Sequence, residues 1–260
     1  MITSLQNSRV KMVRALVRQK QERQDSRLFV VEGVRLIEEA FSSGWSSDWV
    51  FFSRPISPRG QELVNTCIQA GYDVEEVSPA VMKKITGTET PQGILAVLPE
   101  HQPTLPGKLD FAVIGDTIRD PGNLGTLLRS AAAAGVQAVF LTPGSADPFS
   151  PKVLRAGMGA HFRLPIFTEC WDDIYAKCKI VDPPLNFFLA EAQSGLPYWQ
   201  ADLRPPLALI IGGEAEGAAL EIRKVATATL TIPMPGGFES LNAAVAAGIL
   251  IFEVIRQRYS

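Results

Sequence analysis

Three features of this sequence have residue types and spacing that could do chemistry. The first is Arg129, at the end of Asn-Leu-Gly-Thr-Leu-Leu-Arg over 123–129, with Leu127, Leu128 and Ala131 as neighbours. A guanidinium in such company calls for an anion or a wet pocket. A substrate phosphate would serve, and so would a structural ion pair with Asp116 or Asp120. The second is Gly-Gly-Glu-Ala-Glu-Gly over 212–217. There Gly212 and Gly213 leave a backbone edge open to a ligand, and Glu214 can accept from a ligand amine or hydroxyl or tie the loop together. The third begins at Ile232. Pro233, Pro235, Gly236 and Gly237 stop regular structure. Ser240 then reads as an N-cap, and Asn242 sits with it at the helix mouth, where unpaired N–H groups gather. That helix opens with Ala243, Ala244, Ala246, Ala247 and Gly248. Such small residues admit a flat ligand or another backbone, and Val245, Ile249 and Phe252 supply an apolar face. A ligand cradle and a tightly packed terminal helix both fit.

The elements that must hold these groups alternate strand and helix. Phe111–Ile114, Val139–Leu141, Phe162–Leu164, Phe187–Leu189, Leu207–Ile211 and Leu230–Ile232 read as nearly continuous apolar strands separated mostly by helices. That pattern predicts an α/β fold, a mostly parallel sheet covered on both faces. In such sheets ligands bind beyond the carboxyl ends of the strands, and the three features occupy three strand ends: 115–125, 212–217 and 233–242. Asp120 and Pro121 carry helix-start signals. Upstream, Leu28–Val31, Trp49–Phe52, Val74–Val77 and Gly93–Leu98 read as strands of a smaller α/β domain, with helices at about 34–41, 62–70 and 79–84. The proline-rich stretch 99–108 reads as a linker. The expected division is therefore 1–98, a linker at 99–108, and 109–260.

Composition narrows the function. The formal charge of −2 over 260 residues argues against a whole-surface nucleic-acid binder and leaves room for a local basic patch. Residues 1–35 are such a patch: Arg9, Lys11, Arg14, Arg18, Lys20, Arg23, Arg27 and Arg35 face only Glu22, Asp25 and Glu32. Leu5, Met12, Val13 and Leu16 fit the apolar side of an amphipathic helix there. It reads as a phosphate-contacting surface or as a solvated helix face. Cys67, Cys170 and Cys178 form no CxxC pair, and His101 and His161 are the two histidines, so no metal site is expected. The N-terminus carries no apolar signal segment, and the apolar run 243–252 is too short to span a bilayer. A cytoplasmic protein without membrane contact is expected. The GxGxxG spacing of a dinucleotide-binding oxidoreductase is absent after the strand at 111–114.

Taken together, the three stretches resemble the SpoU (TrmH-like) family of RNA ribose 2′-O-methyltransferases, of the trefoil-knot class. The matching motifs are Asp-Pro-Gly-Asn-Leu-Gly-Thr-Leu-Leu-Arg at 120–129, Ile-Gly-Gly-Glu-Ala-Glu-Gly at 211–217, Ile232-Pro233-Met234, and Ser240-Leu241-Asn242 through Ala246-Ala247-Gly248. The segment 150–160 also looks familial. So does the basic N-terminal stretch with Val31-Glu32-Gly33, which resembles a ribosomal-protein-like substrate-binding domain. Ala243-Ala244 departs from the bulkier pair usual in the family.

The resemblance implies a deep trefoil knot in the C-terminal domain, S-adenosylmethionine as methyl donor, and a homodimer with the active site at its interface. Gly212, Gly213, Ile232, Met234 and Leu241 would contact the cofactor through backbone and apolar packing, with Ala190 lining the same pocket and its adenine explaining the small-faced helix. Arg129 would act at the ribose 2′-hydroxyl, as a positioner rather than a base, since guanidinium hardly deprotonates. Asn123 would orient Arg129 or the ribose, and Glu214, Ser240 and Asn242 would support loops and substrate. Arg14, Arg18, Lys152 and Arg155 become RNA-contact candidates. The extra N-terminal domain favours ribosomal RNA over transfer RNA. A non-catalytic RNA-binding protein of the same fold is the alternative.

Overall fold

The computed structural model describes residues 1–88, 90–212 and 220–259. The chain divides into two compact units: Met1–Gln102 with Phe149–Arg155, and Pro103–Pro148 with Ala156–Ser260. The division falls inside the expected linker, but the short segment Phe149–Arg155 groups with the first unit instead of the second.

The first unit is a four-stranded sheet with helices. Strands β1 (Leu28–Glu32), β2 (Trp49–Phe52), β3 (Asp73–Glu76) and β4 (Ile94–Pro99) lie in the order β1-β4-β2-β3. Strand β4 runs antiparallel to β1 and β2, while β2 and β3 are parallel. The basic N-terminal stretch forms two helices rather than one, α1 (Ser8–Arg18) and α2 (Lys20–Ser26), because Gln19 between them is extended. Asn7 caps α1 by accepting from the Arg9 and Val10 amides, at 2.9 and 3.3 Å. The buried side of α1 is Val10, Val13 and Leu16, and Met12 is exposed instead of joining it. Helices α3 (Val34–Ser42), α4 (Pro58–Gln69) and α5 (Pro79–Thr86) complete the unit; Ser57 and Ser78 cap the last two, each followed by a proline.

The second unit is a seven-stranded sheet. Its strands are β5 (Phe111–Asp116), β6 (Ala138–Leu141), β7 (Ile166–Thr168), β8 (Asn186–Ala190), β9 (Leu196–Pro197), β10 (Leu207–Gly212) and β11 (Ala228–Thr231). They lie in the order β7-β6-β5-β10-β8-β11-β9, and every pairing is parallel. All of β5 is buried, as are Leu207–Ile211 of β10, so both faces are covered, as continuous apolar strands require. Helices α6 (Pro121–Ala133), α7 (Pro151–Gly157), α8 (Trp171–Ile180), α9 (Leu220–Val225) and α10 (Ala243–Arg258) connect or follow the strands. Phe162–Leu164 is not a strand. Met158 and Gly159 take left-handed backbone, a tight 3-10 turn follows at Ala160–Phe162, and pairing starts only after Pro165.

Two local features fasten the sheet, one at its carboxyl edge and one at its amino edge. Strand β11 lies between β8 and β9, although those two are neighbours in sequence. Segment 191–195 therefore bridges two strand spacings, about 9–10 Å. It is fastened as it does so: the Glu191 amide donates to Leu230 O at 2.9 Å, and Thr231 Oγ1 donates to Ala192 O at 3.1 Å. Gly195 has φ +121°, and a Cβ there would lie 2.6 Å from Thr229 O. The second feature is the end of α10. Gln257 donates to Ala201 O and accepts from the Leu203 amide, while Arg258 reaches Asp110 Oδ1 at 3.1 Å.

Candidate active site

The described parts of the three sequence features converge on one edge of the second sheet, the second feature through Gly212. Gly212 is in register with Asp116, Ile211 with Ala190, and Ala190 with Leu230. The carboxyl ends of β5, β10, β8 and β11 thus stand side by side. In sheets of this kind ligands bind beyond such strand ends. Ala190, Gly212, Ile232 and Met234 are half-buried and Leu241 is exposed, which suits the small, apolar wall of an open slot. Gly213 and Glu214 lie outside the described residues.

Helix α6 begins at this edge. Asp120 accepts from the Asn123 amide at 2.8 Å and Pro121 occupies the first turn, as the local signals predict. The loop before it is held by a buried carboxylate. Asp116 accepts from Thr142 Oγ1 at 2.8 Å and from Thr117 Oγ1 at 3.2 Å, and the Thr117 amide donates to Thr142 Oγ1 at 2.9 Å. Thr117 has φ +56°, a left-handed conformation unfavourable for a β-branched residue. The Ile118 amide donates to Ser145 Oγ, and the Ala146 amide to Ile118 O.

Helix α10 begins beside α6, and its cap is Asn242 rather than Ser240. Asn242 Oδ1 accepts from the Ala244 and Val245 amides at 3.0 and 3.2 Å, while its Nδ2 donates to Asn123 Oδ1 at 2.8 Å. Both ends of one amide are used, so a single residue caps one helix and ties it to the start of the other. Ser240 is exposed in the preceding loop.

The small face of α10 serves helix packing. Ala243, Ala244 and Ala247 are buried, α10 packs on α6, and a Cβ on Gly248 would meet Ser130 Oγ at 3.8 Å. The anticipated apolar face is the outward one: Val245 is 52% exposed and Phe252 49%.

Arg129 does not meet the partners considered for it. It is exposed and makes no ion pair or hydrogen bond among the described residues. Asp116 and Asp120 are engaged as above. Arg129 also lies about 9 Å along α6 from Asn123 and roughly 120° around its axis, and Asn123 Oδ1 goes to Asn242. One chain thus leaves Arg129 and Asn123 on different sides of the helix.

Gly157 allows the segment after α7 to approach α6: a Cβ there would lie 2.6 Å from His161 Cε1 and 3.7 Å from Gly125 O. His161 is buried with Nε2 2.8 Å from Pro148 O, and burial pushes its imidazole down to about 4. It is neutral at neutral pH and is a packing residue.

In the first unit the remaining candidates are distributed unevenly. Arg18, Lys152 and Arg155 are exposed, while Arg14 is half-buried with its Nε lacking a hydrogen bond. Val17, Thr86, Leu154 and Arg155 line one cleft, so α1 and the segment 149–155 flank the same groove. Arg155 lies 4.0 Å from Glu32. Glu32 also accepts from the Gln92 amide, and Gly33, with φ +103°, leaves space that the Gln92 side chain fills. The Val-Glu-Gly motif thereby pins the loop before β4. Among the described residues no cluster of His, Cys, Asp and Glu could hold a metal ion, and no helix is long and apolar enough to cross a membrane.

Comparison with known proteins settles the family. The SpoU rRNA Methylase family profile matches residues 110–252, and an MRM3-like substrate binding domain profile matches residues 7–96. The chain belongs to the SpoU rRNA methylase family. It is 32% identical to the 23S rRNA (guanosine(2553)-2′-O)-methyltransferase RlmP of Bacillus subtilis, over 97% of this chain and 98% of that one. The AdoMet-bound rRNA methyltransferase from Sinorhizobium meliloti superposes with a TM-score of 0.88 at 32% identity, covering 100% of this chain and 98% of that one. The SpoU methyltransferase AviRb from Streptomyces viridochromogenes, also solved with AdoMet, gives a TM-score of 0.87 at 27% identity over 97% and 99% of the two chains. Sequence reading reached the SpoU motifs but missed the Asp116 network and Gly195. The only local hint of either was a glycine in an otherwise ordinary polar loop.

Proposed function

We propose that this SpoU protein transfers a methyl group from S-adenosylmethionine to the 2′-hydroxyl of a ribose in ribosomal RNA. The observation that carries the reading is the convergence of the three family motifs on one carboxyl edge, where four strand ends and two helix starts meet. The cofactor would be held by the backbone edges at Gly212 and Ile232 and by the side chains of Ala190, Met234 and Leu241. Its sulfonium supplies an activated methyl group that needs little further activation. What remains for the protein is to align the nucleophile and manage one proton.

Arg129 holds the nucleotide phosphate and stabilises charge developing on the 2′-oxygen, while phosphate or water takes the proton. Asn242 is a positioning residue: it locks the start of α10 to Asn123, so the two loops beside the site move as one. Ser240 lies in the loop that faces the substrate. Glu214 and Gly213 enter this reading by the family motif alone.

The working unit is a homodimer. Arg129 points away from Asn123 around α6, and the outward stripe of α10, Leu241, Val245 and Phe252, is apolar and exposed. A second copy across that stripe would cover it and bring its own Arg129 to the site. The path of 191–195 around β11 is taken as part of the trefoil knot. The first unit serves as the RNA-binding domain, with Arg14, Arg18, Lys152 and Arg155 as its RNA contacts, and the protein works in the cytoplasm.

The test is transfer of labelled methyl to unmodified ribosomal and transfer RNA, with Arg129→Ala as control. Label on ribosomal RNA that disappears in the variant supports the reading. Label confined to transfer RNA replaces the substrate, and no label on either, with cofactor bound, leaves an RNA-binding protein without this activity.

A further inference from the structure

Two exposed side chains at the carboxyl edge have no internal work. Phe238 is 78% exposed and makes no ring contact among the described residues. Arg119 is exposed and has neither an ion pair nor a hydrogen bond among them. Each lies four residues before one member of the Asn123–Asn242 hydrogen bond, in the loops that lead into α6 and α10.

Neither sits on a slack loop. Arg119 follows the left-handed Thr117 and the buried Asp116 network, whose hydrogen bonds fix the chain up to Ile118. Phe238 follows a turn closed by the Gly237 amide donating to Met234 O at 3.0 Å, with Gly237 at φ +76°. A phenylalanine held in water forfeits the stabilisation its burial would give, and a base stacked on it would recover part of that stabilisation. An exposed aromatic face and an unpaired cation on adjoining loops are the groups by which proteins hold single-stranded nucleic acid: bases stack on the ring and the cation offsets a phosphate.

We infer that Phe238 and Arg119 form a nucleotide-docking subsite beside the methylated ribose, the Phe238 ring stacking on an unpaired base of the RNA and Arg119 neutralising a neighbouring phosphate. The inference rests on the RNA methyl-transfer reading and names the feature of the RNA that this edge selects: a nucleotide outside a continuous helix.

Binding of unmodified large-subunit ribosomal RNA, measured by filter retention without cofactor, tests it. Phe238→Ala and Phe238→Leu should each weaken binding roughly ten-fold, and Phe238→Trp should restore it, because stacking needs a π face. Arg119→Ala should lower the slope of log affinity against log salt by about 0.7, one single-strand phosphate contact. Cofactor affinity by calorimetry and molecular mass by light scattering should not change. A leucine as good as phenylalanine, no effect of alanine, or a change in mass would overturn the subsite; the last would make Phe238 a subunit contact. If the wild type retains no RNA, subsite and function fall together. If binding depends on Phe238 but no methyl is transferred with cofactor present, the function fails and the subsite stands.

Discussion

Arginines of the N-terminal helices and of the second unit's carboxyl edge meet different fates. In the first unit Arg9 is bound by Asp73 at 2.6 Å and Glu75 at 3.3 Å, and Arg23 is buried and donates to Leu16 O. Arg27 lies near Glu100 at 3.7 Å. At the carboxyl edge of the second unit Arg119 and Arg129 have no such partner among the described residues. The basic run at the N-terminus is thus partly consumed by the fold, while two isolated arginines in an acidic chain stay available. A count of charges along the sequence measures neither outcome. What matters is which cations the fold leaves without an acid.

The sharpest way to break this contrast is at Arg129. Arg129→Ala should cut methyl transfer by about 10²–10³-fold, as loss of a charge-stabilising donor does, with cofactor affinity unchanged by calorimetry. A variant that keeps near-normal rate would reduce Arg129 to a surface charge like Arg18. Gly195→Ala comes next. A Cβ placed 2.6 Å from Thr229 O at a φ of +121° must push β11 or the 191–195 bridge aside, so cofactor affinity should fall at least about ten-fold, with lower thermal stability.

Acid should act on the second unit through His161. Its folded-state value of about 4 lies below the ordinary 6.5, so between these values the unfolded chain binds the extra proton. Stability contributed by this group is complete above 6.5 and is lost as pH falls toward 4, by about 1.4 kcal/mol per unit. Urea midpoints at pH 7 and pH 5 should show the drop, and His161→Gln should flatten it. Asn242→Ala should cost about 1–2 kcal/mol from the lost cap, seen as a melting point lower by several degrees. Methyl transfer should fall more than cofactor binding, since the tie to Asn123 goes as well. The smallest effects belong to the first unit. Arg9→Ala should cost under about 1 kcal/mol in stability and leave RNA affinity alone, whereas Arg18→Ala should do the reverse and lower the salt slope. If the two behaved alike, the distinction between spent and available cations would collapse.

Much of this arrangement is readable in the chain because its signals are local. Asp120-Pro121 declares the start of α6, and the apolar runs declare β5 and β10. The motifs at 120–129, 211–217 and 232–242 point to the edge where they meet. What could not be read depends on distant partners. Ser240 and Asn242 are equally good caps two residues apart, and the choice falls to Asn242, which also reaches Asn123. The alanine face of α10 suits a ligand or a helix equally until α6 occupies it. Strand β9 is too short to leave a pattern, and the left-handed Thr117 is held by Thr142 far along the chain. In the N-terminal helices, the extended Gln19 that divides α1 from α2 carries no proline or glycine to announce it.

The placement of β11 bears on how the unit assembles. Strands β8 and β9 emerge from synthesis before the strand that separates them, so they cannot settle into final pairing until β11 and the loop beyond it have arrived. Contacts of long sequence separation form slowly and leave strand edges exposed while they wait. The edge proposed to carry methyl transfer therefore cannot close before β11 has been made. On the proposed reading, a growing chain has no working site until α10 has been made.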